Sequence, residues 1–144
     1  MKISFAQLFC RLSLGIGFIS ADLDRFGYYG APGAPGVTWG NWEHFFLYSK
    51  KLMYFLPDYL IQICAITASV AEAALGILLI IGLFTRLTSF FSSLLLFFFA
   101  LTMAFSMGIH APLSYSVFTA CSAALLLSYT PEYKWSLDSF FKRR

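Results

Sequence analysis

Charge is scarce in this chain. Charged residues make up 12% of its 144 positions, about half the share in a soluble domain. That is too little to coat a water-facing surface, so hydrocarbon is the implied solvent. The charge that exists is nearly balanced, ten Lys+Arg against seven Asp+Glu for a net +3. An excess this small and scattered leaves no footprint for nucleic acid, and basic residues gathered beside membrane spans account for it. Cysteine is scarce too. Cys10, Cys64 and Cys121 fall in three different predicted spans. None forms a Cys-x-x-Cys pair, and no Cys/His cluster has metal-ligand spacing, which argues against a dithiol relay in one helix and against a metal site. They read as small packing residues. There is no haem, flavin or iron–sulfur motif, so any electron carrier has to be diffusible or sit in another chain, with none bound covalently. Nor is a cleavable signal peptide evident: the first apolar segment carries Arg11 and runs on to Asp22 without a small-residue cleavage site. It reads as a retained first helix.

What the chain does have is apolar length. Hydrophobic residues reach 59% and the mean hydropathy is +0.73. The length allows a single domain, residues 1–144. Four segments have the roughly 20 residues needed to cross a hydrocarbon core, at about 3–21, 59–84, 87–107 and 112–129. Thr85-Arg86 joins the second span to the third, and Gly108-Ile109-His110-Ala111 joins the third to the fourth, with Pro112 placed to open a helix. Junctions this short force antiparallel neighbours. The fold class expected is therefore all-α, an integral membrane up-down four-helix bundle.

The first junction is longer. An outer loop over 22–58 begins with a stretch, Phe26 to Val37, that holds Gly27, Gly30, Pro32, Gly33, Pro35 and Gly36 and cannot continue a helix. Trp42, Phe45, Phe46, Ser49, Leu52, Met53 and Leu56 then recur at helical spacing, with Glu43, His44, Lys50 and Lys51 mostly opposite. This reads as an interfacial amphipathic helix. Lys2, Arg86, Lys134, Lys142, Arg143 and Arg144 fall on one side, against Arg25, Lys50 and Lys51 on the other. The positive-inside rule then puts both termini and the tail over 130–144 in the cytoplasm and the loop in the periplasm or exterior.

Two charges lie inside apolar spans, where each costs at least about 2.5–3.5 kcal/mol. Arg11 is eleven residues from Asp22, or about 16 Å at the helical rise, and Glu72 is fourteen from Asp58, about 21 Å. With Asp22 and Asp58 both at the outer surface, Arg11 and Glu72 come within reach of each other, and a buried ion pair is expected. Arg11, Gly15, Phe18, Asp22 and Arg25 share one helical face, as do Ala65, Ser69, Glu72, Gly76 and Leu79. The small residues allow close approach. The pair could fix the register of the helices, or it could line a polar pocket for a proton or a ligand's polar head. A second polar group, Asp22, Asp24, Arg25, His44 and His110, gathers at the outer end. The phenylalanines of the third span read as lipid-facing. Ser116, Ala120, Ala124 and Ser128 form a contact stripe on the fourth, through which a homo-oligomer is conceivable.

Three stretches together resemble the DoxX family of small bacterial and archaeal membrane proteins. They are Arg11-Leu-Ser-Leu-Gly15 through Asp22 and Arg25, then Glu72-Ala-Ala-Leu-Gly76 through Gly82 to Thr85-Arg86, and Ser136-Leu-Asp138 after the last span. They occur in the family's order across most of the chain. Thr130-Pro131-Glu132 replaces the family's Gly-Pro-Gly turn, and the fourth span begins Leu113-Ser-Tyr-Ser-Val where many members have an acidic residue. The resemblance implies a multi-pass protein of the cytoplasmic (inner) membrane, in contact with the lipid bilayer and with a protein partner in a redox complex. It implies quinone-linked oxidoreductase chemistry, with quinone as the ligand. On that reading Arg11 and Glu72 frame the ligand's polar end, Gly15, Gly76, Asp22, Arg25 and His110 surround it, and Glu72 is the proton acceptor. The alternative is a non-enzymatic scaffold or assembly factor that docks a partner on the outer loop. A small-solute transporter fits less well, because no paired, Gly/Pro-interrupted spans are present.

Overall fold

The computed structural model describes residues 2–141. Lys142, Arg143 and Arg144, half of the basic residues assigned to the inner side, lie outside the described residues. The described chain is helical, with no strand: α1 (Lys2–Arg25), α2 (Trp42–Leu52), α3 (Asp58–Ile81), α4 (Thr85–Met107), α5 (His110–Ser114), α6 (Val117–Ser128) and α7 (Leu137–Phe141). α1, α3 and α4 are each long and apolar enough to cross a membrane. α1 packs on α3, α3 on α4, α4 on α6 and α6 on α1, so these four helices enclose one core.

The burial pattern is that of a protein surrounded by apolar solvent. Phe90, Phe91, Phe97, Phe98 and Phe105 of α4 are exposed, as are Ile63, Ile66, Val70 and Ile77 of α3. The faces turned inward carry Gln7, Arg11, Asp22, Arg25, Ser69, Glu72, Thr85, Thr88, Ser89, Ser92 and Ser93 alongside Phe18, Leu79 and Leu127. Exposed apolar surface on this scale needs a membrane or a partner to cover it. The chain is a membrane protein.

Local chemistry sets the helix ends. α3 starts after Pro57 and stops at Gly82, whose left-handed φ of 70° lets its N–H and that of Leu83 close on the Leu78 carbonyl. α4 ends at Gly108, also at positive φ. The continuous fourth span expected over 112–129 is instead broken: α5 and α6 are separated at Tyr115-Ser116, with Ser116 at φ 56°. At 12 residues α6 is about 18 Å long, short of a hydrocarbon core by itself. Pro112 sits within α5, which His110 opens.

α2 occupies the segment read as an amphipathic helix, capped by the Asn41 side chain. It packs on α3 and α4 across one end of the core, with Phe45 and Ser49 buried and Ser106 Oγ donating to the Leu52 carbonyl. We refer to this as the outer end, and to the end bearing Gly82, Thr85 and α7 as the inner end.

Candidate functional site

The register of α1 against α3 decides which charges meet. The two helices cross at Gly15 and Gly76, so closely that a Cβ on Gly15 would lie 2.9 Å from the Gly76 carbonyl oxygen. From that crossing Arg11 is four residues toward the inner end and Glu72 four toward the outer end. They are therefore separated by about 12 Å along the axis. The Arg11–Glu72 pair expected from the sequence does not form. The expectation placed Asp22 and Asp58 at one level. Counting from the crossing, α3 starts about 16 Å farther out than Asp22, and Asp58 is exposed there in a pair with Lys50 at 2.6 Å. Gly15 and Gly76, expected around the ligand, are the helix contact itself.

Glu72 pairs with Arg25. A helical side chain leans toward the N-terminus of its helix, so Arg25, the last residue of α1, reaches back along it. Its Nη1 meets Asp22 Oδ1 at 2.9 Å, Ser69 Oγ at 2.7 Å and Glu72 Oε2. All four residues are buried, Arg25 to 3% exposure and Glu72 to 4%. The outer loop closes over them. Asp24 Oδ2 accepts from the backbone N–H groups of Thr38 and Trp39, each at 3.0 Å, which draws the Trp39 ring to 5.1 Å from the guanidinium carbon. Phe45 of α2 lies nearer, at 4.1 Å. Gly40 permits this fold of the loop: its φ is 70°, and a Cβ there would meet Pro32 N at 2.6 Å. Beside the roof, burial first and Tyr115 second push the Tyr48 phenol above its ordinary pKa, so it stays a neutral donor, directed at Met107 Sδ.

The result is one guanidinium paired with two buried carboxylates, Asp22 and Glu72, under an aromatic roof that a third, Asp24, ties down. Asp22 Oδ2, Asp24 Oδ1 and Arg25 Nε have no hydrogen-bond partner among the described residues. The set is therefore short of cations and not saturated in hydrogen bonds.

Arg11 belongs to a different group at the inner end. It is 1% exposed, donates from Nη2 to the Trp135 carbonyl at 2.6 Å and lies within electrostatic range of Asp138. Gln7 Nε2 donates to the Lys134 carbonyl at 2.8 Å. Asp138 accepts from the backbone N–H groups of Phe84 at 2.8 Å and Thr85 at 2.7 Å, and its own N–H donates to the Gly82 carbonyl at 3.0 Å. Arg11, Gly82, Thr85, Ser136 and Asp138, drawn from three separate stretches of sequence, thus meet at one place. It is a structural joint away from Glu72, and within it Gln7 Oε1, Arg11 Nε and Nη1 and Thr85 Oγ1 have no hydrogen-bond partner among the described residues.

The histidines join neither group. His44 is exposed and bonded to Asn41, and His110 is exposed and faces Ser114 Oγ at 3.3 Å. His110 therefore stands apart from Glu72, with which Asp22 and Arg25 are grouped. Trp39 was not foreseen, and its only signal is an aromatic residue beside a Gly/Pro-rich loop. The serine and threonine face of α4 was also missed.

Compared with protein-family models, with curated proteins and with solved structures, the chain matches none.

Proposed function

We propose that this protein supports quinone-linked redox chemistry in a bacterial or archaeal inner membrane, as a four-pass subunit that binds the polar head of a lipid-soluble ligand at its outer charge cluster. The observation that carries the reading is the buried, cation-poor set Asp22–Arg25–Ser69–Glu72 beneath Trp39 and Phe45. Ionisable groups at membrane depth are expensive and are functional candidates by default.

The residues suit a quinone-type head. A carbonyl oxygen requires a donor, and Arg25 Nε is a buried donor without a partner among the described residues. Trp39 and Phe45 already cover that guanidinium, and a planar ring would take the place of one of them. Such a ligand supplies two-electron, two-proton chemistry, and a partner chain supplies the electrons. Within this chain Arg25 orients the head and keeps Glu72 in place. Glu72 exchanges a proton at its carboxylate, because one guanidinium cannot neutralise both acids it touches and a proton is the smallest cation that can. Asp24 holds the roof shut over the site.

The test is mass spectrometry of an organic extract from detergent-purified protein, wild type against Glu72→Gln and Arg25→Gln. About one quinone per wild-type chain, lost in Arg25→Gln, is the expected result. Glu72→Gln should abolish quinone-linked activity in membranes while the protein still accumulates there. Phospholipid alone in every sample would instead favour the scaffold reading, and wild-type activity in Glu72→Gln would end the proton role.

A further inference from the structure

We infer that the inner end binds the headgroup of an anionic phospholipid in a groove between the start of α4 and the segment that follows α6. The groove has a volume of about 850 Å³. Phe84 and Leu87 form its apolar side, Tyr129 and Tyr133 flank it, and Arg86 and Lys134 stand at its rim. Both basic side chains are exposed, and neither forms an ion pair with a described residue.

Position and charge identify the occupant. Arg86 is the second residue of a helix long and apolar enough to span, and Tyr129 follows the last residue of α6. The groove therefore lies at the level where span ends meet lipid headgroups, and tyrosine is enriched at that level. Two carboxylates also line it. Asp138 is already committed to the amides of Phe84 and Thr85, which leaves Glu132 as the one acid opposing two unpaired cations. Basic pockets beside span ends recognise anionic lipid headgroups in this way. An apolar wall next to a basic rim also accommodates the glycerol backbone and the first acyl carbons, which a free phosphate would leave unfilled.

The experiment uses the full chain in neutral detergent, with phosphatidylglycerol and phosphatidylcholine of identical acyl chains, read by native mass spectrometry. The wild type should retain one phosphatidylglycerol with clear preference over phosphatidylcholine. Arg86→Gln/Lys134→Gln should weaken phosphatidylglycerol binding about 25-fold, at about fivefold per cation, and leave phosphatidylcholine unchanged. Glu132→Lys should strengthen it, a gain that loss of folding cannot mimic. Equal binding of the two lipids, or unchanged phosphatidylglycerol affinity in the double variant, would overturn the proposal. So would binding of glycerol 3-phosphate or an acidic peptide as tightly as the lipid.

Discussion

Arg25 shows how much one side chain can organise. It is the cation for Asp22 and Glu72, a donor to Ser69 and the charge beneath two aromatic rings. Removing one member of a buried pair leaves an uncompensated charge and costs about 3–5 kcal/mol, whereas replacing the pair together is often close to neutral. Arg25→Met should therefore lower stability in detergent by about that amount. Arg25→Met/Glu72→Gln should recover much of it, even though Asp22 stays behind. Thermal unfolding of the four proteins in the cycle measures the coupling, and strictly additive losses would show that the two side chains do not interact. A second contrast concerns glycine. Gly82→Ala should destabilise by at least about 1–2 kcal/mol, because φ is 70° and the new Cβ would collide with Ser136 and with Arg11 Nη1. Gly17→Ala should be neutral or stabilising, by up to about 1 kcal/mol, since nothing lies within 4 Å of that Cβ. Equal effects at both positions would contradict the packing described.

At the level of elements, α4 is the helix that depends most on another segment. Phe84 at its N-cap offers no side-chain cap, and the carboxylate of Asp138 supplies one from 53 residues away. Losing such a cap costs about 0.5–2 kcal/mol. Asp138→Ala should fall at the upper end, because two amides lose their acceptor together, and Asp138→Asn should fall between that and wild type. Faster hydrogen exchange confined to the first turn of α4 would be the specific sign, and an unchanged first turn would dismiss the cap. The comparison also shows why some elements were legible in the sequence and others were not. α1, α3 and α4 follow from apolar length punctuated by glycine and proline, and their polar faces follow from the three-to-four-residue spacing that puts Arg11, Asp22 and Arg25 on one side. The break at Tyr115-Ser116 carries no glycine or proline, so nothing local announced it. The partner of Glu72 depended on register, which the Gly15–Gly76 crossing sets and which no single-helix pattern encodes. The roof over Arg25 depends on a loop folding back through Asp24, a contact that periodicity cannot express.

Across the whole molecule, the joint at the inner end constrains the path of the chain. α4 is 23 residues long, about 34 Å, and Gly108 lies at its outer end. Asp138 is bonded to Phe84 and Thr85 at the opposite end. Residues 109–137 must therefore travel the full length of α4, although no single helix among them is long enough to do so. α5 and α6 make the return as two pieces packed against α4, with Cys121 Sγ near Ser93 at 3.4 Å along the way. If α4 crosses the bilayer, this broken segment crosses it too, and the outer loop and the tail emerge on opposite faces. The prediction can be read with single cysteines in a variant lacking Cys10, Cys64 and Cys121, labelled in intact cells by a membrane-impermeant maleimide. Tyr28→Cys, on the exposed outer loop, should react at once. Glu132→Cys, exposed beside the inner joint, should react only after permeabilisation. Labelling of both in intact cells would mean that residues 109–129 do not cross, and the bond between Asp138 and the start of α4 would then have to be abandoned with the four-pass path.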